Sequence, residues 1–240
     1  TSPYMSSAET TLMTEGDLCR KIITFAVPVF IGSLFQQLYN TADSLIVGNL
    51  VGSSALAAVS STSSIVYLAV GFFLGFSIGA SIVIARHIGA QNRERIRRSV
   101  HTAVAAGLVL GVLMTIISVL IADPILRATG TPDSVFQEAS IYLRIYFLGL
   151  FALVMYNIFV GILQAAGDSR HPLYYLALSS CVNVVLDLYM VGTLKLGVAG
   201  AAYATVLSEL LSAVLSLRRL MKTTGDIHVE LSQIRFDGDE

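Results

Sequence analysis

Charge is what this sequence has least of. Lys, Arg, Asp and Glu make up 13% of its 240 residues against 55% hydrophobic ones, too few to keep a surface in water. A soluble globular chain is excluded, and a polytopic membrane protein is expected. The net charge is −1 and the basic residues sit in short clusters between apolar runs. That leaves no broad electropositive face and excludes a nucleic-acid binder. The two cysteines, Cys19 and Cys181, fall before the first apolar span and part-way through the fifth, so no disulfide is expected. No Cys/His cluster has zinc-ligand spacing. Walker loops, hydrolase elbows and paired-His metalloprotease motifs are missing too, which excludes ATP hydrolysis on this chain and leaves an enzyme without a nucleophile and base.

What is present is a series of six apolar spans, predicted as helices at about 18–47, 55–85, 100–122, 134–163, 173–191 and 198–217. Residues 1–17, polar and rich in Ser and Thr, read as a leader, and 218–240, polar and mixed in charge, as a linker. The first span carries Pro28 and a polar run where a signal peptide has a plain apolar core, so it is read as a retained helix. Asp123-Pro124 is expected to end the third span. Gly71, Gly75 and Gly79, spaced by four on the second, are expected to let another backbone approach. Arg20, Lys21, the cluster Arg86–Arg98, Arg170, Arg218, Arg219 and Lys222 fall on one side of the spans. Arg127 and Lys195 fall on the other, with Arg144 snorkelling at that rim. The positive-inside rule then predicts both termini cytoplasmic and an inner (plasma) membrane protein surrounded by lipid.

Inside the first span lies Gln36-Gln37-Leu38-Tyr39-Asn40-Thr41-Ala42-Asp43. On a helix Gln36, Tyr39, Asn40 and Asp43 stand at i, i+3, i+4 and i+7 and share one face. A carboxyl group at the bilayer centre costs roughly 2.5–3.5 kcal/mol on insertion scales, so that face belongs to a cavity, an ion path or a protein interior. The chain also echoes itself. Pro28 precedes Asp43 by fifteen residues, as Pro172 precedes Asp187, and Asp43-Ser44-Leu45-Ile46-Val47-Gly48 parallels Asp187-Leu188-Tyr189-Met190-Val191-Gly192. The next glycines, Gly52 and Gly197, follow at spacings that differ by one. Both segments travel outward, so the two acids are expected at similar depth, about 22 Å along the helix from each proline.

On the fifth span Ser179, Ser180, Asn183 and Asp187 form a matching polar face. Two carboxyls in a partly dry chamber favour a bound proton, since desolvation and mutual repulsion oppose the doubly ionised state. The same oxygens, with Asn183, equally suit a small hard cation. Glu209, facing the same way as Thr205, Ser208, Ser212 and Ser216, admits a vestibule role, an ion pair with Arg218 or Arg219, or a part in transport chemistry. For Asn157, interhelical hydrogen bonding and a cavity role stand level. Tyr142 and Tyr146 read as interfacial aromatics.

Several of these runs together resemble a known family. Thr14-Glu15-Gly16-Asp17, Pro28, Gln36 to Asn40, Asp43, Val47-Gly48, Gly52 and Ala55 to Ser60 resemble the opening of the multidrug and toxic compound extrusion (MATE) transporters. Arg86-His87-Ile88-Gly89-Ala90, Ile162 to Ser169 with Pro172, Asn183, Asp187 and Gly197 to Thr205 resemble its later motifs in order. The resemblance implies an all-α fold of two six-helix lobes, twelve helices in all, related by a pseudo-twofold axis. It implies no enzyme and no cofactor, but secondary antiport in which Na⁺ or H⁺ flows in as a bulky, often cationic, small organic molecule leaves. In the family a cation site is built from an aspartate on the first helix, an asparagine and aspartate on the fifth and a threonine on the sixth. The matching positions are Asp43, Asn183, Asp187 and Thr205, with Gln36, Tyr39, Asn40, Tyr142 and Asn157 as neighbouring substrate-cavity residues. Glu209 stands where the family commonly has a neutral amide. The chain corresponds to the N-terminal lobe alone, so the second lobe is expected on the rest of a longer chain or, alternatively, from a homodimer partner. Competing expectations are a flippase for lipid-linked or polysaccharide precursors and a non-transporting membrane scaffold.

Overall fold

A computed structural model of the chain describes residues 17–222, apart from the side chains of Gln36, Tyr39, Asn40, Phe73 and Leu74. Seven helices follow one another: α1 (Leu18–Leu50), α2 (Ser53–Gly89), α3 (Arg93–Ala128), α4 (Asp133–Leu148), α5 (Leu150–Ala165), α6 (Arg170–Asp187) and α7 (Val198–Lys222). A six-residue π turn, Leu188–Thr193, continues α6. No strand occurs among the described residues. Among the described residues five helices are long and apolar enough to cross a bilayer, and α4 with α5, bent by 44° at Gly149, make a sixth when the bent pair is counted as one span. The six-span expectation therefore holds.

The helix ends are set by local chemistry, and they fall wider than the apolar runs. Asp17 caps α1 by accepting from the Arg20 N–H at 3.3 Å, and Asn92 caps α3 by accepting from the Arg95 N–H at 3.2 Å. The basic cluster is thus mostly helical, with only Ala90–Asn92 turning between α2 and α3. With 36 residues α3 is about 54 Å long, well beyond a hydrocarbon core of about 30 Å. Pro124 does not end it, contrary to expectation. It lies in the last turns, where few i→i−4 bonds remain to be lost. There Asp123 ties the helix to α4 by accepting from Ser140 Oγ and, at 2.5 Å, from Arg144 Nη2. Arg144 is accordingly paired as well as exposed. At the other end of the chain α7 runs to Lys222, past the boundary expected at 217. Residues 1–16 and 223–240 lie outside the described part.

Helix α5 occupies the centre and packs against α2, α3 and α7. Ile84, Ile96, Val100, Leu150, Ile158 and Ile162 are nearly or wholly buried around it. A second apolar cluster, Ala58, Leu126, Ala139, Leu143 and Phe147, holds α2, α3 and α4 together toward the opposite end. Helix α6 lies between α1 and α7, and α1 packs chiefly along α6. The depth of α6 against α1 is fixed where α6 begins. Asp168 accepts from the N–H groups of Arg170 and His171, both at 3.2 Å. The Ser169 hydroxyl donates to the Phe25 carbonyl of α1 at 2.8 Å, beside the Thr24 carbonyl that Pro28 leaves without its helical donor.

Close approach occurs at glycines other than those expected. Nothing lies within 4 Å of a Cβ placed on Gly71, Gly75 or Gly79, and all three are exposed, because α2 turns that stripe away from its neighbours. At the α4/α5 bend, by contrast, a Cβ on Gly149 would stand 2.4 Å from Val206 Cγ2 on α7. Val is β-branched and has little rotamer freedom with which to yield. Gly149→Ala is therefore expected to destabilise the protein by about 1–3 kcal/mol, the usual range for overpacking. Thermal unfolding in detergent should register the drop, and Val206→Ala in the same chain should recover most of it.

Candidate functional site

The internal echo places Pro28, within α1, and Pro172, in the first turn of α6, on two helices that run side by side. Equal spacing from each proline then brings Asp43 and Asp187 to the same level. Their carboxyl groups come close enough to act on one another electrostatically. Asp187, the last residue of α6, is wholly buried and Asp43 half-buried. Among the described residues no donor reaches Asp43 Oδ1 or either oxygen of Asp187. Two buried groups with three idle acceptor atoms are uncommon, since buried polar atoms are nearly always satisfied. If both were ionised, a separation of about 4 Å at an effective dielectric of about 20 would mean repulsion on the order of 4 kcal/mol. One positive charge between them removes that repulsion.

One turn before Asp187, Asn183 is 3% exposed, and its Oδ1 also has no partner. It lines a cavity of about 50 Å³ between α5, α6 and α7, together with Thr205 of α7. By water-sized accounting that is room for a few waters. The cavity continues past Ser179, Ser180, Ser208, Glu209 and Ser212, with Tyr156 of α5 closing one side. The hydroxyls share one habit: each gives its single proton to a carbonyl of its own helix. Ser179 and Ser180 donate to Leu176 O at 3.1 and 2.7 Å, Thr205 to Ala201 O at 3.1 Å, Ser208 to Ala204 O at 2.7 Å and Ser212 to Ser208 O at 3.2 Å. This back-bonding leaves only lone pairs for the chamber.

Of the four residues expected to form the cation site, the structure brings Asp43 and Asp187 near one another and sets Asn183 and Thr205 in the wall of the cavity between α5, α6 and α7. The proposed substrate-cavity residues fare differently. The side chains of Gln36, Tyr39 and Asn40 lie outside the described ones. Tyr142 is buried and stacked on Tyr146, ring centroids 6.1 Å apart, in an apolar cluster with Val47, Ala55, Ile145 and Val198. Helix α4 carries it inward between α2 and α7, away from the cavity between α5, α6 and α7. Asn157 turns its Nδ2 to the Leu153 carbonyl of its own helix at 2.9 Å and does not line the cavity. Its neighbour Tyr156 does, and sequence reasoning missed it, since a lone tyrosine in an apolar run carries no periodic signal. Glu209 lines the chamber, and no ion pair of it is present among the described residues. No cluster of three or more His, Cys, Asp and Glu side chains gathers among the described residues. The donors here are all oxygen, the set that suits a hard cation.

The MatE family model matches residues 28–189. The probable multidrug resistance protein YoeA of Bacillus subtilis is 32% identical over 221 residues, which cover 90% of this chain and 48% of that protein. The probable multidrug resistance protein NorM of Thermotoga maritima is 27% identical over 201 residues, covering 82% and 43%. Among solved structures, a MOP-superfamily transporter from Pyrococcus furiosus, described as having a binding pocket of reverse polarity, superposes with a TM-score of 0.85 at 31% identity. An outward-facing multidrug resistance MATE transporter superposes at 0.86 and 31%. Each covers 93% of this chain, which in turn spans 50% of theirs. MATE structures in a bent and in a straight conformation give 0.85 and 0.84. The chain spans about half the length of the relatives it matches. It belongs to the MatE family of multidrug and toxic compound extrusion transporters and corresponds to one of their lobes.

Proposed function

We propose that this chain is the N-terminal lobe of a secondary active antiporter that exports bulky organic, often cationic compounds in exchange for Na⁺ or H⁺. The observation that carries the reading is the pair of facing carboxyls, Asp43 and Asp187, with three oxygens that no described donor reaches. In a membrane helix such acids are functional by default, and a pair that repels when empty gains from taking up one positive charge. Helix α1 packs chiefly along α6, the helix that carries the other acid. A cation held between the acids draws the two helices together, and its release lets them part. Uptake and release thereby shift the population of states with different access to the cavity.

The multidrug names of the relatives support an organic cargo, and their doubled length supports a second six-helix lobe, from the same full-length chain or from a homodimer partner. Arg20, Arg86, Arg170 and Arg219 mark the ends of helices on a single side, which supports an inner (plasma) membrane protein with that side cytoplasmic.

In cells expressing the complete transporter, Asp43→Asn and Asp187→Asn should each cut drug efflux at least ten-fold while membrane abundance stays at the wild-type level. Retention of wild-type efflux in both variants defeats the reading. In inverted vesicles, an imposed Na⁺ gradient or a pH step, one of the two, should drive drug uptake by the wild type. Neither should drive it in Asp187→Asn.

A further inference from the structure

Glu209 is not one of the four residues proposed to hold the coupling ion. It lies one turn, about 6 Å, from Thr205 along α7, and its cavity extends about two turns of α6 from Asp187 toward the end that bears the arginines. The wall around it is almost entirely acceptor. Ser179, Ser180, Ser208 and Ser212 have already spent their protons on backbone carbonyls, and Asn183, nearly fully buried, turns an unpartnered Oδ1 onto the same space. The side-chain donors are the Tyr156 phenol and the Asn183 amide. A chamber of lone pairs around one carboxylate is suited to a ligand that needs acceptors and supplies charge.

Size and charge narrow that ligand. Space of about 50 Å³ takes water-sized bodies and no organic molecule of drug size. One carboxylate balances one positive charge, whereas a divalent ion would leave a net charge stranded in a partly buried site. An alkali ion accepts any five or six oxygens, including hydroxyls, without requiring a thiolate or imidazole. We infer that the cavity between α5, α6 and α7 is a second monovalent-cation site, which binds an alkali metal ion such as Na⁺ through Glu209 and the serine hydroxyls. It stands on Glu209 and its surroundings, and holds whether or not the aspartate pair takes Na⁺.

Equilibrium binding of ²²Na⁺ to the purified protein in detergent micelles tests this. Glu209→Gln should lose one Na⁺ equivalent relative to the wild type, and Asp43→Asn/Asp187→Asn should retain it. Ser179→Ala/Ser212→Ala, which keeps the carboxylate but removes two ligands, should weaken that equivalent at least three-fold and guards against a folding defect in Glu209→Gln. Wild-type stoichiometry and affinity in Glu209→Gln, or no Na⁺ bound by the wild type, overturns the assignment. So does displacement of the Glu209-dependent ²²Na⁺ by methylammonium but not by K⁺ or Li⁺, since that marks the cavity as a seat for an organic ammonium group. Loss of binding only in the aspartate variants would uphold the proposed coupling site while removing this one.

Discussion

Two carboxyl groups face each other between α1 and α6 with too few donors to satisfy them, and much of the lobe's construction follows from keeping them there. Proline spacing sets their common height. The Ser169 bond to Phe25 fixes where α6 starts against α1, and Asp168 holds the first turn of α6 in place. Once seated, the pair is a source of repulsion that only positive charge relieves. A purely structural scaffold would have little reason to retain that arrangement, because apolar residues of similar volume are often neutral or stabilising at buried ionic positions.

The remaining helices divide the labour unevenly. The α2–α3–α4–α5 part is braced by two large apolar clusters and by the Asp123 clasp to Ser140 and Arg144. The α1–α6 part has fewer such ties, and its polar face looks toward α7. Helix α6 is held on both sides, by α1 and by α7, so the polar face is fixed by helix packing rather than by an apolar cluster of its own.

Much of this was legible in the sequence, and for identifiable reasons. Membrane spans announce themselves because lipid demands long apolar runs, and Asp43 and Asp187 stood out because lipid forbids them. Their meeting followed from equal spacing after two prolines. The polar faces of α6 and α7 were also visible as hydroxyls at helical intervals. What escaped was set by packing. The bend at Gly149 depends on how closely α7 approaches, which no local pattern records, and the Gly71, Gly75 and Gly79 stripe looked like a contact while facing outward. Tyr142 was taken for an interfacial residue since an aromatic near a helix end usually is one, yet α4 rotates it into the interior. Pro124 reads as a terminator in the sequence, yet so near the end of α3 it costs few helical bonds and the helix runs on to Ala128.

The π turn after Asp187 breaks the likeness between the two halves of the echo. Asp43 continues into a regular helix, whereas Asp187 ends one and passes into a wider turn. The extra residue between Gly192 and Gly197 falls at that turn's close. Such wide turns often sit at functional positions. The two acids have unlike neighbourhoods: the first is partly exposed on the lobe and the second wholly buried. For the cation-binding role proposed above, near-symmetry in the chain thus carries an order: Asp43 is the acid an incoming ion reaches first, and Asp187 the one that encloses it.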